Sequence, residues 1–214
     1  MVPQESLGLE SKLGNDIMTE ELSPKSAPID REVAGPFDET EANGVRPYVD
    51  LGSIKLIPRE GLNLRLEVEE GSGRVVAVAL DFAGSTLQVQ PFASTRSTGL
   101  WNEIRANLAE QITGQGGAIR EIDGPLGTEL VGRIPVMQDG KQSFQDARFI
   151  GVDGPRWFLR GVIAGPAVTE AAAYSQMLEL FRDIVVVRGQ SPLPPRELLP
   201  LKVPAQASGI APTS

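Results

Sequence analysis

The sequence predicts a single α+β domain, a largely antiparallel sheet of about six to eight strands with two main helices packed on it. Three observations lead there. Strand-like runs come in blocks, joined by Asp-Gly turn signals. Two long segments carry apolar residues at helical spacing. Those helices separate blocks of strands instead of alternating with single strands, which distinguishes α+β from α/β chains.

In chain order, Ser53–Ile57 is the first short candidate strand. Leu62, Leu64, Leu66 and Val68 then alternate with Asn63, Arg65, Glu67 and Glu69, the period of a strand with one wet face. Arg74–Phe82 is almost continuously apolar and reads as a central, buried strand. Thr86–Gln90 alternates again. Pro91 is expected to end it or to place it at an edge, because proline lacks the amide a central ladder needs.

A helix is expected from about Gly99 to Thr113, where Leu100, Trp101, Ile104, Leu108 and Ile112 form one apolar stripe. Ser97 or Thr98 would cap its start and Gly114 would end it. Ala118–Ile122, Glu129–Val136, Ala147–Val152 and Arg156–Ile163 follow as strands. Asp123-Gly124, Asp139-Gly140 and Asp153-Gly154 read as turns, since Asp bonds its local backbone and Gly takes positive φ at little cost. The last of them joins Phe149–Val152 to Trp157–Ile163 as a hairpin. A second helix is expected from about Val168 to Asp183, with Tyr174, Met177, Leu178 and Phe181 on its buried face and Thr169 as its cap. Ile184–Val187 closes the series as a strand.

Both ends differ from this body, which is expected to span 46–190. Of the net charge of −8, most sits in residues 1–45, which hold ten acidic and three basic residues. That segment has one aromatic residue, Phe37, and little apolar periodicity, so it is expected to be a disordered acidic arm. Ile17 and Met18, beside Glu20, Glu21 and Leu22, are its one candidate anchor for docking on a partner. Residues 191–214 form a proline-rich tail in which Leu198, Leu199, Leu201 and Val203 are expected to pack back onto the body.

Composition excludes much chemistry. With no cysteine and no histidine, the chain has no thiolate nucleophile, no Ser-His-Asp arrangement and none of the usual zinc or haem ligands. No cofactor and no metal site is expected, and nothing nominates an enzyme. The N-terminus lacks the basic and apolar regions of a signal peptide, and no run of 18 apolar residues exists, so a cytoplasmic protein without a membrane span is expected. An acidic arm without a compensating basic run argues against nucleic acid as a partner.

Gly114-Gln115-Gly116-Gly117 closes a helix instead of opening one, so it reads as a helix stop and not a phosphate loop. Arg148, Arg156 and Arg160 flank the best hairpin, next to Trp157 and Phe158. Guanidinium groups grip carboxylate or phosphate and stack on aromatic rings, so Arg148, Arg156, Trp157 and Arg160 are the candidate binding residues. The competing reading is cross-strand pairing of these arginines with Asp146, Asp153 or a neighbouring Glu.

Several stretches resemble the actinobacterial family known as domain of unknown function 3710. They are Val49-Asp50-Leu51-Gly52, Val89-Gln90-Pro91-Phe92-Ala93, Trp101 with Ile104 and Arg105, Gly127-Thr128-Glu129-Leu130 and, most specifically, Arg148–Gly161. The resemblance covers roughly 46–190. It implies a cytoplasmic actinobacterial protein and carries no catalytic residue. A weaker likeness, in element order and the strand start at Gly127–Leu130, is to Mog1/PsbP-type folds. The function expected on these grounds is a non-enzymatic protein-binding or adaptor domain with a protein partner. The alternative is a small-ligand or anion-binding domain with weak enzymatic activity.

Overall fold

The computed structural model describes residues 23–138 and 140–204. The elements begin with a one-turn helix α1 (Arg31–Ala34) and three short strands, β1 (Phe37–Asp38), β2 (Val49–Asp50) and β3 (Ile54–Leu56). Three longer strands follow, β4 (Asn63–Val68), β5 (Val75–Phe82) and β6 (Ser85–Ala93). Helix α2 (Trp101–Gly114) leads into β7 (Ala118–Gly124), β8 (Gly127–Gln138), β9 (Lys141–Asp153) and β10 (Trp157–Ala164). Helix α3 (Ala171–Arg182) and β11 (Val185–Val186) complete the series.

The α+β class and the antiparallel character are as the sequence predicts, but the strands divide between two sheets. The larger has seven strands in the order β4-β5-β6-β10-β9-β8-β7, every pair antiparallel. The smaller runs β1-β11-β3-β2, and its β1–β11 pair is parallel.

The pleat sorts the large sheet into two faces. Phe92, Phe149 and Phe158 face α2, whose Trp101, Ile104, Leu108 and Ile112 cover them. Val89, Ile150, Leu159 and Ile163 face the other way, onto Met177, Leu180 and Phe181 of α3 and onto Ile54, Leu56 and Val186 of the small sheet. Two glycines of the Arg148–Gly161 stretch let the helices approach. A Cβ on Gly151 would lie 2.5 Å from the Trp101 indole, and one on Gly161 would lie 3.0 Å from Phe181. The conformational freedom of glycine is not the issue here, because what matters is the missing side chain.

Local expectations fail where a distant segment supplies the missing partner. Pro91 neither ends β6 nor lies at an edge; it is buried opposite Leu159 of β10. Its carbonyl accepts the Leu199 amide, and since N and C=O of one residue point to the same side of a strand, the absent N–H faces the C-terminal segment, not β10. Neither Ser97 nor Thr98 caps α2. The Asp153 carboxylate does so instead, accepting the Leu100 amide at 2.8 Å and the Trp101 amide at 3.4 Å. Thr169 does not cap α3, whose first turn is led by a 3-10 turn at Pro166–Val168 and by Glu170, with no side-chain cap.

The folded unit is also longer than 46–190. Residues 23–45 are not a free arm: β1 is laid beside β11, and Arg31 is buried, holding Glu41 through both terminal nitrogens. Residues 196–202 staple the two sheets together. Arg196 and Leu199 donate to Ala93 and Pro91 of β6, and Lys202 donates to Leu51. Leu199 is fully buried as expected, while Val203 remains 60% exposed. Residues 1–22 with the anchor Ile17 and Met18, residues 205–214, and Asp139 lie outside the described residues.

Candidate functional site

The four predicted site residues do not converge. Arg148 lies opposite Ile163 and Arg160 lies opposite Gly151, an odd offset that puts the two arginines on opposite faces of the sheet. Arg148 stacks its guanidinium 3.8 Å from the Tyr174 ring centre and lies 3.7 Å from Glu129 of the neighbouring strand. Arg160 lies on the α2 face, donating to Gln90 and sitting over Phe92. Burial alone pushes its pKa below the ordinary value. Trp157 is fully buried, and its Nε1–H donates to Asp38 Oδ2 at 2.9 Å, so no ring face is open to a ligand. Of the four, Arg156, in the β9–β10 turn, is the one that lines an open cleft.

Arg156 there meets two arginines that the sequence reading passed over. With Arg96 and Arg188 it lines an open cleft of about 520 Å³, whose other walls include Asp38, Glu39 and Gln190. The two acidic side chains are engaged elsewhere. Asp38 accepts from Trp157, and from the backbone and hydroxyl of Thr40; Glu39 pairs with Lys55 at 3.0 Å. Burial raises the Asp38 pKa, but these hydrogen bonds and the Arg31 charge outweigh it and hold the carboxyl below its usual range. Among the described residues, Arg96, Arg156 and Arg188 form no ion pair with any carboxylate. Arg188 donates to the carbonyls of Ser191 and Leu193, and its Nε is buried without a partner. Burial, and then the charge of Arg156, push the Arg188 pKa down, the mark of like charges held close without a counter-ion.

A second, adjoining groove of about 350 Å³ shares Arg96 and Pro155 with the first and is lined by Lys25, Ile29 and Asp153 among others. Lys25 Nζ donates to the Gly154 and Pro155 carbonyls, and Asp153 Oδ2 accepts the Ser26 amide at 2.9 Å. Burial pushes the Asp153 carboxyl up and the Lys25 ammonium down. Asp153 is thus more than a turn residue. It fixes the start of α2 and the segment that walls this groove.

A signal for the missed residues does exist in the sequence. Arg96 and Arg188 have no acidic residue within four positions on either side. Arg160 shares this property and Arg156, three residues after Asp153, lacks it, so the signal shortens the choice without marking the cleft.

Fold and cleft together define a single-domain α+β protein with three cleft arginines that have no carboxylate partner among the described residues. The family model described as protein of unknown function (DUF3710) matches residues 35–209, and the chain belongs to that family. The match runs beyond 46–190 at both ends, so it takes in β1 with Asp38 at one end and the C-terminal staple at the other. A search of curated proteins finds no match to the chain.

Proposed function

We propose that the domain is a non-enzymatic binding module whose Arg96–Arg156–Arg188 cleft takes an acidic segment of a partner protein. The observation that supports this reading is the convergence of three guanidinium groups, without carboxylate partners among the described residues, on one open cleft. Guanidinium forks offer bidentate hydrogen bonds to carboxylates, each charge-assisted bond contributing about 1.5–3 kcal/mol. The cleft is open and most of its lining residues are charged or polar, which suits an extended acidic chain better than a small apolar ligand, which prefers an enclosed pocket. The two carboxylates on its wall, Asp38 and Glu39, are held by Trp157, Thr40 and Lys55, which favours binding over catalysis.

The test is anisotropy titration of a labelled Glu-rich peptide against the full chain, the Arg156→Ala variant and the Arg96→Ala/Arg156→Ala variant. Each arginine removed should weaken binding about tenfold. Binding should also weaken as salt rises from about 0.05 to 0.3 M, because the groups are partly exposed. Thermal melts check that the variants remain folded. Equal affinity of folded wild type and double variant would overturn the proposal. A single-stranded oligonucleotide binding more tightly than the peptide would do so too.

A further inference from the structure

We propose that the chain's own residues 1–22 dock in the Arg96–Arg156–Arg188 cleft, so that an external acidic segment must displace them. The inference rests on the reading of the cleft given above and names its resident occupant. Three observations carry it.

The first is where the segment joins the described structure. The Ser23 carbonyl accepts the Gly99 amide at 2.8 Å, and the Pro24 carbonyl accepts Asn102 Nδ2 at 3.2 Å. Ser23 is therefore anchored beside the loop that carries Arg96. The groove lined by Lys25 and Ile29 adjoins the cleft, sharing Arg96 and Pro155 with it.

The second is reach. An extended chain spans about 3.3–3.6 Å per residue, so Glu21 and Glu20 come within about 7–11 Å of Ser23.

The third is charge. Residues 1–22 hold Glu5, Glu10, Asp16, Glu20 and Glu21 against Lys12 alone. The cleft they adjoin holds arginines that lack carboxylate partners among the described residues. A short tether presents its acids at an effective concentration on the order of millimolar, so even an intrinsic affinity in that range keeps the cleft half occupied.

The chain has no cysteine, so the test can be run on the full-length protein with two introduced thiols. Thr19→Cys is combined with Gln190→Cys, on the cleft, or with Glu70→Cys, on the β4–β5 turn outside it. Both pairs are oxidised at low salt, and intramolecular disulfide formation is followed by gel shift. The Gln190 pair should close at least about tenfold faster, as tethered contact predicts. That advantage should vanish at about 0.5 M salt and in an Arg156→Glu background. Separately, Glu20→Gln/Glu21→Gln should tighten binding of the external Glu-rich peptide severalfold. Equal closing rates for the two pairs would overturn the proposal. If the external peptide still binds in an arginine-dependent way, the self-docking inference alone falls. If that binding is also absent, the reading of the cleft falls with it.

Discussion

Replacing Asp153 with alanine removes one carboxylate that serves two segments distant in sequence. The side chain is 2% exposed and accepts backbone amides from Ser26 at 2.9 Å and Leu100 at 2.8 Å, with a longer contact to Trp101 at 3.4 Å. In the alanine variant the two shorter bonds are lost; the Leu100 donor is buried and the Ser26 donor partly so. A buried donor left unsatisfied costs about 1–3 kcal/mol, so the pair predicts a loss of about 2–6 kcal/mol, centred near 4. The charge at the start of α2 adds a fraction of this through the helix dipole. For a chain of this length, about 4 kcal/mol corresponds to a fall in Tm of roughly 8–16 °C.

Urea denaturation of wild type, Asp153→Ala and Asp153→Asn measures it. Asparagine keeps one acceptor oxygen but turns an amide donor toward a backbone N–H, so its loss should be about half that of alanine. Ser97→Ala serves as the local control, because that residue makes no cap; its effect should stay within about 0.5 kcal/mol. Hydrogen exchange adds a spatial readout: the Ser26 and Leu100 amides should lose protection together. A loss below about 1 kcal/mol for Asp153→Ala, or a larger loss for Ser97→Ala, would refute the long-range cap.

Glu129 should set a pH dependence. It is buried at 1% exposure, accepts from the Tyr174 hydroxyl, and leaves Oε2 without a hydrogen bond. Burial raises its pKa more than the Tyr174 bond and the Arg148 charge lower it, and burial likewise pushes the Tyr174 hydroxyl up. A carboxyl whose pKa is raised on folding contributes most below its unfolded value, about 4.3, and loses that contribution as pH rises through the folded value. Wild type should therefore lose stability relative to Glu129→Gln as urea melts are moved upward from about pH 4; a gain would mean that Arg148 outweighs burial. Leu199→Ala should cost about 2–5 kcal/mol in the same assay, because the side chain is fully buried between the two sheets. Val203→Ala, a few residues on and largely exposed, should cost less than about 0.5 kcal/mol, and equal losses would contradict the staple.

The parts legible in the sequence are those whose cause is local. Alternation at Leu62–Glu69 and the apolar run at Arg74–Phe82 gave β4 and β5, because the period of two survives whatever packs on it. The stripe from Trp101 to Ile112 and the face Tyr174–Phe181 gave both main helices for the same reason. Illegible parts were those decided by a partner far along the chain. Pro91 is tolerated inside β6 because a segment more than a hundred residues away replaces a neighbouring strand. The cap of α2 comes from a residue about fifty positions later, which no local rule could nominate. Residues 23–45 lack the periodicity of a core segment, yet they are held by Arg31–Glu41, by Asp38–Trp157 and by the pairing of β1 with β11.

The same distinction explains why the site was read one turn away from where the arginines meet. A hairpin places neighbours in sequence on alternate faces, so the density of Arg148, Arg156 and Arg160 could not by itself form a patch. Each strand arginine is absorbed by its own face, one by Tyr174 and Glu129 and the other by Gln90 and Phe92. Arginines in turns and loops lack cross-strand neighbours, because there the backbone leaves the sheet. Arg96 before α2, Arg156 in the β9–β10 turn and Arg188 after β11 are three such positions, and the fold brings them to one cleft. The family match embraces all three together with Asp38, which holds the cleft wall to Trp157. The proposed binding role rests on loop arginines that have no carboxylate partner among the described residues, and Arg148 and Arg160 belong to the sheet framework.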